Sequence, residues 1–309
     1  MKQNIIKNIS PLNNNLNMSK PEYIIKKVLA FILIFGCSAL IGEGIIIGSL
    51  YGMGYDPLNG VMPTGQIAEL LPYYGYIVFI VVTLLYCKLI EKKDFKSFGI
   101  SFDLVGGLSG IVLAVILLFV IMVISLSFNA ITFSGINSNI NISSLILWGI
   151  AFVIQGTTEE IMCRGFLLNS LRNKISLPMT IFISSTAFAF PHLLSLFEAE
   201  FIYVIPGILN LYLISIIFSL FTLWRSNVCS ACGLHVVWNF VLYTIMGLSL
   251  SGSENVSSGL ILFNIKNPNI LNGAEYGIEA SLITTVVLSV VLFVMIKIMK
   301  GRISKDGVQ

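Results

Sequence analysis

Residues 104–128 read LVGGLSGIVLAVILLFVIMVISLSF, twenty-five positions without a charged side chain. A helix needs roughly 20 mostly apolar residues to cross a bilayer. Lipid offers no partner to a bare backbone N–H or C=O, so such a run must be a helix or part of a closed barrel. No strict alternation of a barrel strand is present. Seven further stretches qualify, at about 28–50, 71–87, 145–171, 178–196, 201–224, 230–250 and 282–299. The expected fold is all-α, a polytopic membrane bundle of about eight transmembrane helices.

Composition excludes the alternatives. Of 309 residues, 56% are hydrophobic and 11% charged, with a mean hydropathy of +0.91. Soluble domains carry about 25% charged residues. Disorder, a collagen repeat and a disulfide framework do not fit so little charge, an aperiodic glycine distribution and five scattered cysteines. A net charge of +3 is too small to argue for nucleic acid as a partner.

The basic residues orient the spans. Sixteen of the eighteen Lys and Arg fall before the first span, in alternate connections (Lys88, Lys92, Lys93, Lys96; Arg172, Lys174; Arg225) or after the last span. The opposite connections hold only Lys266, alongside Asp56, Glu69, Glu198, Glu200, Glu254, Glu275 and Glu279. The positive-inside rule then places both termini in the cytoplasm of a multi-pass cell-membrane protein. Residues 1–27 read as a polar cytoplasmic tail, 28–299 as the membrane domain and 300–309 as a second tail. Gly44, Gly48 and Gly52 would give the first helix a small-residue packing face. Glu43 beside them is expected to face the bundle or a cavity. The apolar piece 260–263, in the long outer connection, could dip back into the interface.

Ionisable groups inside a span cost several kcal/mol and are functional candidates by default. The fourth span contains Glu159-Glu160-Ile161-Met162-Cys163-Arg164, the fifth Phe188-Ala189-Phe190-Pro191-His192, and the seventh His235-Val236-Val237-Trp238-Asn239. Both histidines of the chain lie in spans. Helical rise from the nearest cytoplasmic charge or span end puts Glu159, His192, His235 and Asn239 at roughly 20, 22, 15 and 21 Å. Residues four apart share a helix face, so Glu160 can pair with Arg164. Glu159, about 100° around the helix, is left for another partner. Glu159 and His192 could hold and deprotonate a water. His235 and Asn239, again four apart, could stabilise an oxyanion. Pro191 removes a helix hydrogen bond just before His192. Against this stand helix-packing locks without chemistry, and a transporter pathway lined by the same groups.

At these residues the chain resembles the CPBP family, the CAAX proteases and bacteriocin-processing enzymes also called the Abi family. The motifs E-E-x-x-x-R, F-x-x-x-H and H-x-x-x-N/D stand here as Glu159-Glu160…Arg164, Phe188…His192 and His235…Asn239, in order, within a core of about 145–250. The stretch from Asn272 to Glu279 is similar to a Gly/Glu-rich segment before the last helix of bacterial members. The resemblance implies an intramembrane endopeptidase acting on a membrane-associated peptide or protein. Glu159 and His192 would activate the water, and His235 and Asn239 would support the oxyanion. Glu160, Arg164 and Phe188 would be supporting residues. Some accounts of the family invoke metal, and Glu159, His192 and His235 could form a zinc site with an open position. Others are glutamate-dependent without metal, towards which the lack of an H-E-x-x-H pair weighs. A non-catalytic membrane regulator with the same polar core is the alternative, ahead of a small secondary transporter.

Two competing patterns carry less. Gly107-Leu108-Ser109-Gly110 matches a rhomboid-type G-x-S-G, but Ser109 is only roughly 9 Å deep by helical rise. Cys229-Ser230-Ala231-Cys232 lacks a second pair and reads as two reduced packing residues, as do Cys37, Cys87 and Cys163. Tyr73 and Tyr74 suit an interfacial belt.

Overall fold

The computed structural model describes residues 8–15, 17–252, 259–265 and 267–305. Residues 1–7 of the expected N-terminal tail, Glu254, Lys266 and residues 306–309 lie outside them. The chain is a polytopic helical bundle. Among the described residues seven helices are long and apolar enough to cross a membrane.

Helix α1 (Lys20–Gly52) starts well before its apolar run. Ser19 caps it, and Ser19 and Glu22 form a reciprocal capping box that satisfies free N–H groups of the first turn. Lys26 and Lys27 are therefore helical and fully buried. Lys27 pairs with Glu91 at 2.5 Å, with no exposure of its side chain. Lys26 donates to Asn13 Oδ1 and the Asn15 carbonyl. Helix α2 (Gln66–Leu89) returns alongside α1. The closest backbone approach is at Gly42, whose missing Cβ would lie 3.5 Å from the Gly75 carbonyl. This corrects the expected stripe: Gly44, Gly48 and Gly52 have no neighbour within 4 Å of a Cβ, and Glu43 is exposed on the outside of the bundle. Four-residue spacing marks a face but does not say which way that face turns.

Helix α3 (Leu104–Ser127) is capped by Asp103, whose carboxylate accepts from the Gly106 N–H and from Arg225. Strand β1 (Thr132–Ile136) follows. Helix α4 (Ile142–Glu160) runs on through a π-helical turn, Ile161–Leu168, to Leu171. Helix α5 (Leu177–Ala189) breaks at a 3₁₀ turn, Phe190–His192, around Pro191, and resumes as α6 (Leu193–Glu198). The helix hydrogen bond expected to be lost at Pro191 falls in this 3₁₀ turn. Helix α7 (Phe201–Arg225) leads to α8 (Cys229–Phe240), which ends in a second π-helical turn, Val241–Ile245. The last helix is α9 (Leu282–Lys305).

The seventh expected span is shorter than 230–250. It covers Cys229–Ile245, because Gly247 turns to φ 61° and the Leu248 N–H closes back on Leu242. Packed against α3, α4 and α7, it is an inner helix with little need to match the bilayer. The 260–263 piece forms β2 (Ile261–Asn264), antiparallel to β1 with a bulge between Phe133 and Gly135. The pairing satisfies its backbone outside the helices.

Glycines seat α8 against α3. A Cβ on Gly110 would stand 2.0 Å from the Ser230 carbonyl oxygen, and one on Gly233 2.2 Å from that of Gly107. The G-x-S-G pattern is therefore a helix contact, and Ser109 Oγ donates to the Gly106 carbonyl. The opposite face of α3 exposes Val112, Val115 and Phe119, as a lipid-facing surface would. Replacing Gly110 or Gly233 with Leu should destabilise the protein by at least about 1–3 kcal/mol through overpacking. Gly48→Ala should leave stability within about 0.5 kcal/mol. Thermal melts in detergent check both.

Candidate active site

Glu160 is the centre of the polar core. Its Oε1 accepts from Arg164 Nη1 at 2.9 Å and lies 3.0 Å from His235 Nδ1, with Glu160 and Arg164 wholly buried. The expected pair is present, and His235 is a third member that spacing within one helix could not disclose. Arg164 Nη2 donates to the Ser215 carbonyl at 3.1 Å and to Ser215 Oγ at 2.6 Å. Its guanidinium lies 4.6 Å from the Phe188 centroid and 5.0 Å from that of Phe218, two rings packed edge to face. Such aromatic contact suits a planar, weakly hydrated cation. Phe188 also touches both imidazoles, with centroids at 5.3 Å from His192 and 5.7 Å from His235. Phe218 stacks on His235 at 5.0 Å.

Glu159 sits on the other side. Its Oε2 is 3.8 Å from His192 Nε2 and 3.9 Å from His235 Nε2. Its Oε1 accepts from Gln155 at 3.1 Å, and Gln155 Oε1 in turn accepts from Asn239 Nδ2 at 3.2 Å. Two helices and the 3₁₀ turn thus bring Glu159 up to His192 and His235, and Gln155, His192, His235 and Asn239 line one cavity. Glu159 and His192 keep 16% and 18% side-chain exposure while Glu160 has none, which separates a pocket-facing carboxylate from a structural one. The cavity measures about 310 Å³ and is walled by Tyr73, Tyr76, Phe188, Phe218 and Trp238.

Sequence reading missed several of these groups. Gln155 had a signal, a polar residue one turn before Glu159. Tyr73, assigned to an interfacial belt, instead lines the cavity and packs edge-on against Trp148 and Phe152. Glu279, noted only within a Gly/Glu-rich stretch, lies in the wall and accepts from Trp238 Nε1 and from the Ser251 N–H and hydroxyl. Phe218 and Ser215 carry no local signal. Cys229 and Cys232 are unpaired thiols, with Cys229 Sγ at 3.2 Å from the Ser101 carbonyl, and Cys37 is exposed rather than packed.

A tetrahedral zinc with ligands at about 2.0–2.2 Å holds its donors roughly 3.4 Å apart. The two separations here are wider. Among the described residues no set of three or more His, Cys, Asp or Glu side chains gathers as a metal site. As placed, these donors do not fit a zinc ion.

Fold and site define a multi-pass helical membrane protein with an acid–imidazole–amide pocket inside its bundle. Residues 141–241 match the family described as Type II CAAX prenyl endopeptidase Rce1-like, which is the CPBP family. The matched third of the chain contains all three motifs, so the family resemblance holds, and at family level it supports a CAAX-type intramembrane protease. No curated protein and no solved structure matches the chain.

Removing one partner of the buried Glu160–Arg164 pair should cost about 3–5 kcal/mol, because the other charge is left uncompensated. Arg164→Met and Glu160→Gln, measured singly and together by thermal unfolding in detergent, should show the double variant losing clearly less than the sum.

Proposed function

We propose that the protein is an intramembrane endopeptidase that hydrolyses a peptide bond with water activated by Glu159 and His192. The observation that carries this reading is the Glu159 carboxylate 3.8 and 3.9 Å from the nitrogens of two imidazoles that line a cavity. Polar groups at such separations suit a bridging water. Glu159 takes the proton as the water attacks the scissile carbonyl, and His192, which orients that water, relays this proton from Glu159 to the leaving amine. Gln155 fixes the free oxygen of Glu159.

Asn239 has a second amide N–H beyond the one given to Gln155. With His235 it faces the oxygen that becomes negative. His235 Nδ1 lies 3.0 Å from Glu160 Oε1, which leaves Nε2 for the pocket. Glu160 is thereby the support for an oxyanion donor, and Arg164 keeps Glu160 in place. The protein is oriented with both termini in the cytoplasm of a cell membrane, which the sixteen basic residues on one side support.

Glu159→Gln and His192→Ala should each lower peptide cleavage by about 10²–10⁴-fold, the range for loss of a general base or acid. Asn239→Ala should lower kcat by about 10²–10³-fold, as for an oxyanion donor. Thermal unfolding should show all three folded. Undiminished cleavage by both Glu159→Gln and His192→Ala would refute the assignment and favour a regulator. Activity should survive chelator treatment; stoichiometric zinc lost together with activity would replace water activation by Glu159 with metal chemistry.

A further inference from the structure

Helix ends fall into two sets. The start of α1 and the ends of α2, α4, α7 and α9 adjoin the Lys- and Arg-bearing segments. Gly52, Gln66, Glu198, Phe201 and Leu282 mark the opposite ends. The cavity mouth is built from this second set. Pro72 and Tyr73 lie in the second turn of α2 from Gln66, Ser195 is three residues before Glu198, and Ser251 and Glu279 belong to the connection between α8 and α9. No lining residue comes from the connections that hold Lys88 to Lys96, Arg172 and Lys174, or Arg225. Arg164 has no exposure and packs on Phe188 and Phe218, two of the lining residues. His192 is six residues from Glu198, roughly 9 Å by helical rise, and fifteen from Leu177, roughly 22 Å by the same measure.

We propose that the pocket opens on the non-cytoplasmic face and takes a basic peptide segment presented there. The sidedness follows from where Lys and Arg lie. The charge preference follows from the mouth side, whose connections and adjoining helix ends carry seven carboxylates along the sequence (Asp56, Glu69, Glu198, Glu200, Glu254, Glu275 and Glu279) against Lys266. One of them, Glu279, is fixed in the cavity wall by Trp238 and Ser251. A cleft lined by one sign of charge with apolar walls concentrates the opposite sign. This rests on the proteolytic reading for its chemistry but not for its geometry, so the two can fail separately.

The test uses right-side-out and inside-out vesicles carrying the full chain. The probe is a quenched fluorescent peptide of alternating Leu and Lys, too polar to cross, with Glu159→Gln vesicles as blank. Cleavage should be at least tenfold faster in right-side-out vesicles, and a Leu–Glu counterpart at least tenfold slower at low salt. Cleavage confined to inside-out vesicles would overturn the sidedness and leave proteolysis standing. Equal cleavage of the two peptides would overturn the charge preference. If neither orientation cleaves, proteolysis is what fails, and sidedness is read from Ser195→Cys. Labelling of that thiol in intact cells by a membrane-impermeant maleimide supports the proposal. Labelling only after permeabilisation, as expected for Lys174→Cys, overturns it.

Discussion

A carboxylate and a guanidinium with no exposure at all stand inside a bundle made for hydrocarbon. Taking each ion out of water costs several kcal/mol even after relaxation, and attraction between them repays it only where further hydrogen bonds complete the pair. Here they do. Arg164 is held by Glu160, Ser215 and two aromatic rings, and Glu160 holds both Arg164 and His235. Through those contacts α4, α5, α7 and α8 are tied at one point. His235 and Phe188 are positioned by the tie, and with them the wall that His192 and Glu159 face.

Regular helix gives way around this knot. A π-helical turn begins directly after Glu160, a 3₁₀ turn holds Pro191 and His192, and a second π-helical turn follows Phe240. Such departures recur at functional sites because they re-aim side chains that ideal geometry would send elsewhere. Each also frees backbone groups that a lipid-facing helix could not leave bare. Ile161–Leu168 is buried throughout and Val241–Ile245 at its three central residues, whereas the 3₁₀ turn leaves Phe190 and Pro191 exposed.

Much of the fold and part of the site were legible along the chain. Apolar runs marked the spans since hydrocarbon imposes a length on any helix that crosses it. Three motifs marked the site since buried charge in a span needs a reason. What failed depended on direction or distance. Gly44, Gly48 and Gly52 share a face, but it turns outwards, while the true contacts are Gly42 with Gly75 and Gly107 with Gly233. Glu43 turns outwards too. The 230–250 run ends early as an inner helix.

Two further groups show where local reading ends. Gln155 has a neighbour in sequence, Glu159, and a neighbour in space, Asn239, eighty-four positions away. Glu279 reaches the cavity from a connection that follows every motif. The sequence by itself determined a helical membrane protein, the identity of its buried ionisable groups and the Glu160–Arg164 pair, since composition, run length and four-residue spacing act within one helix. Only the tertiary structure decided that His235 shares Glu160, that Glu159 faces two imidazoles and which end of the bundle its cavity meets, because helix rotation and crossing are set by contacts between distant segments.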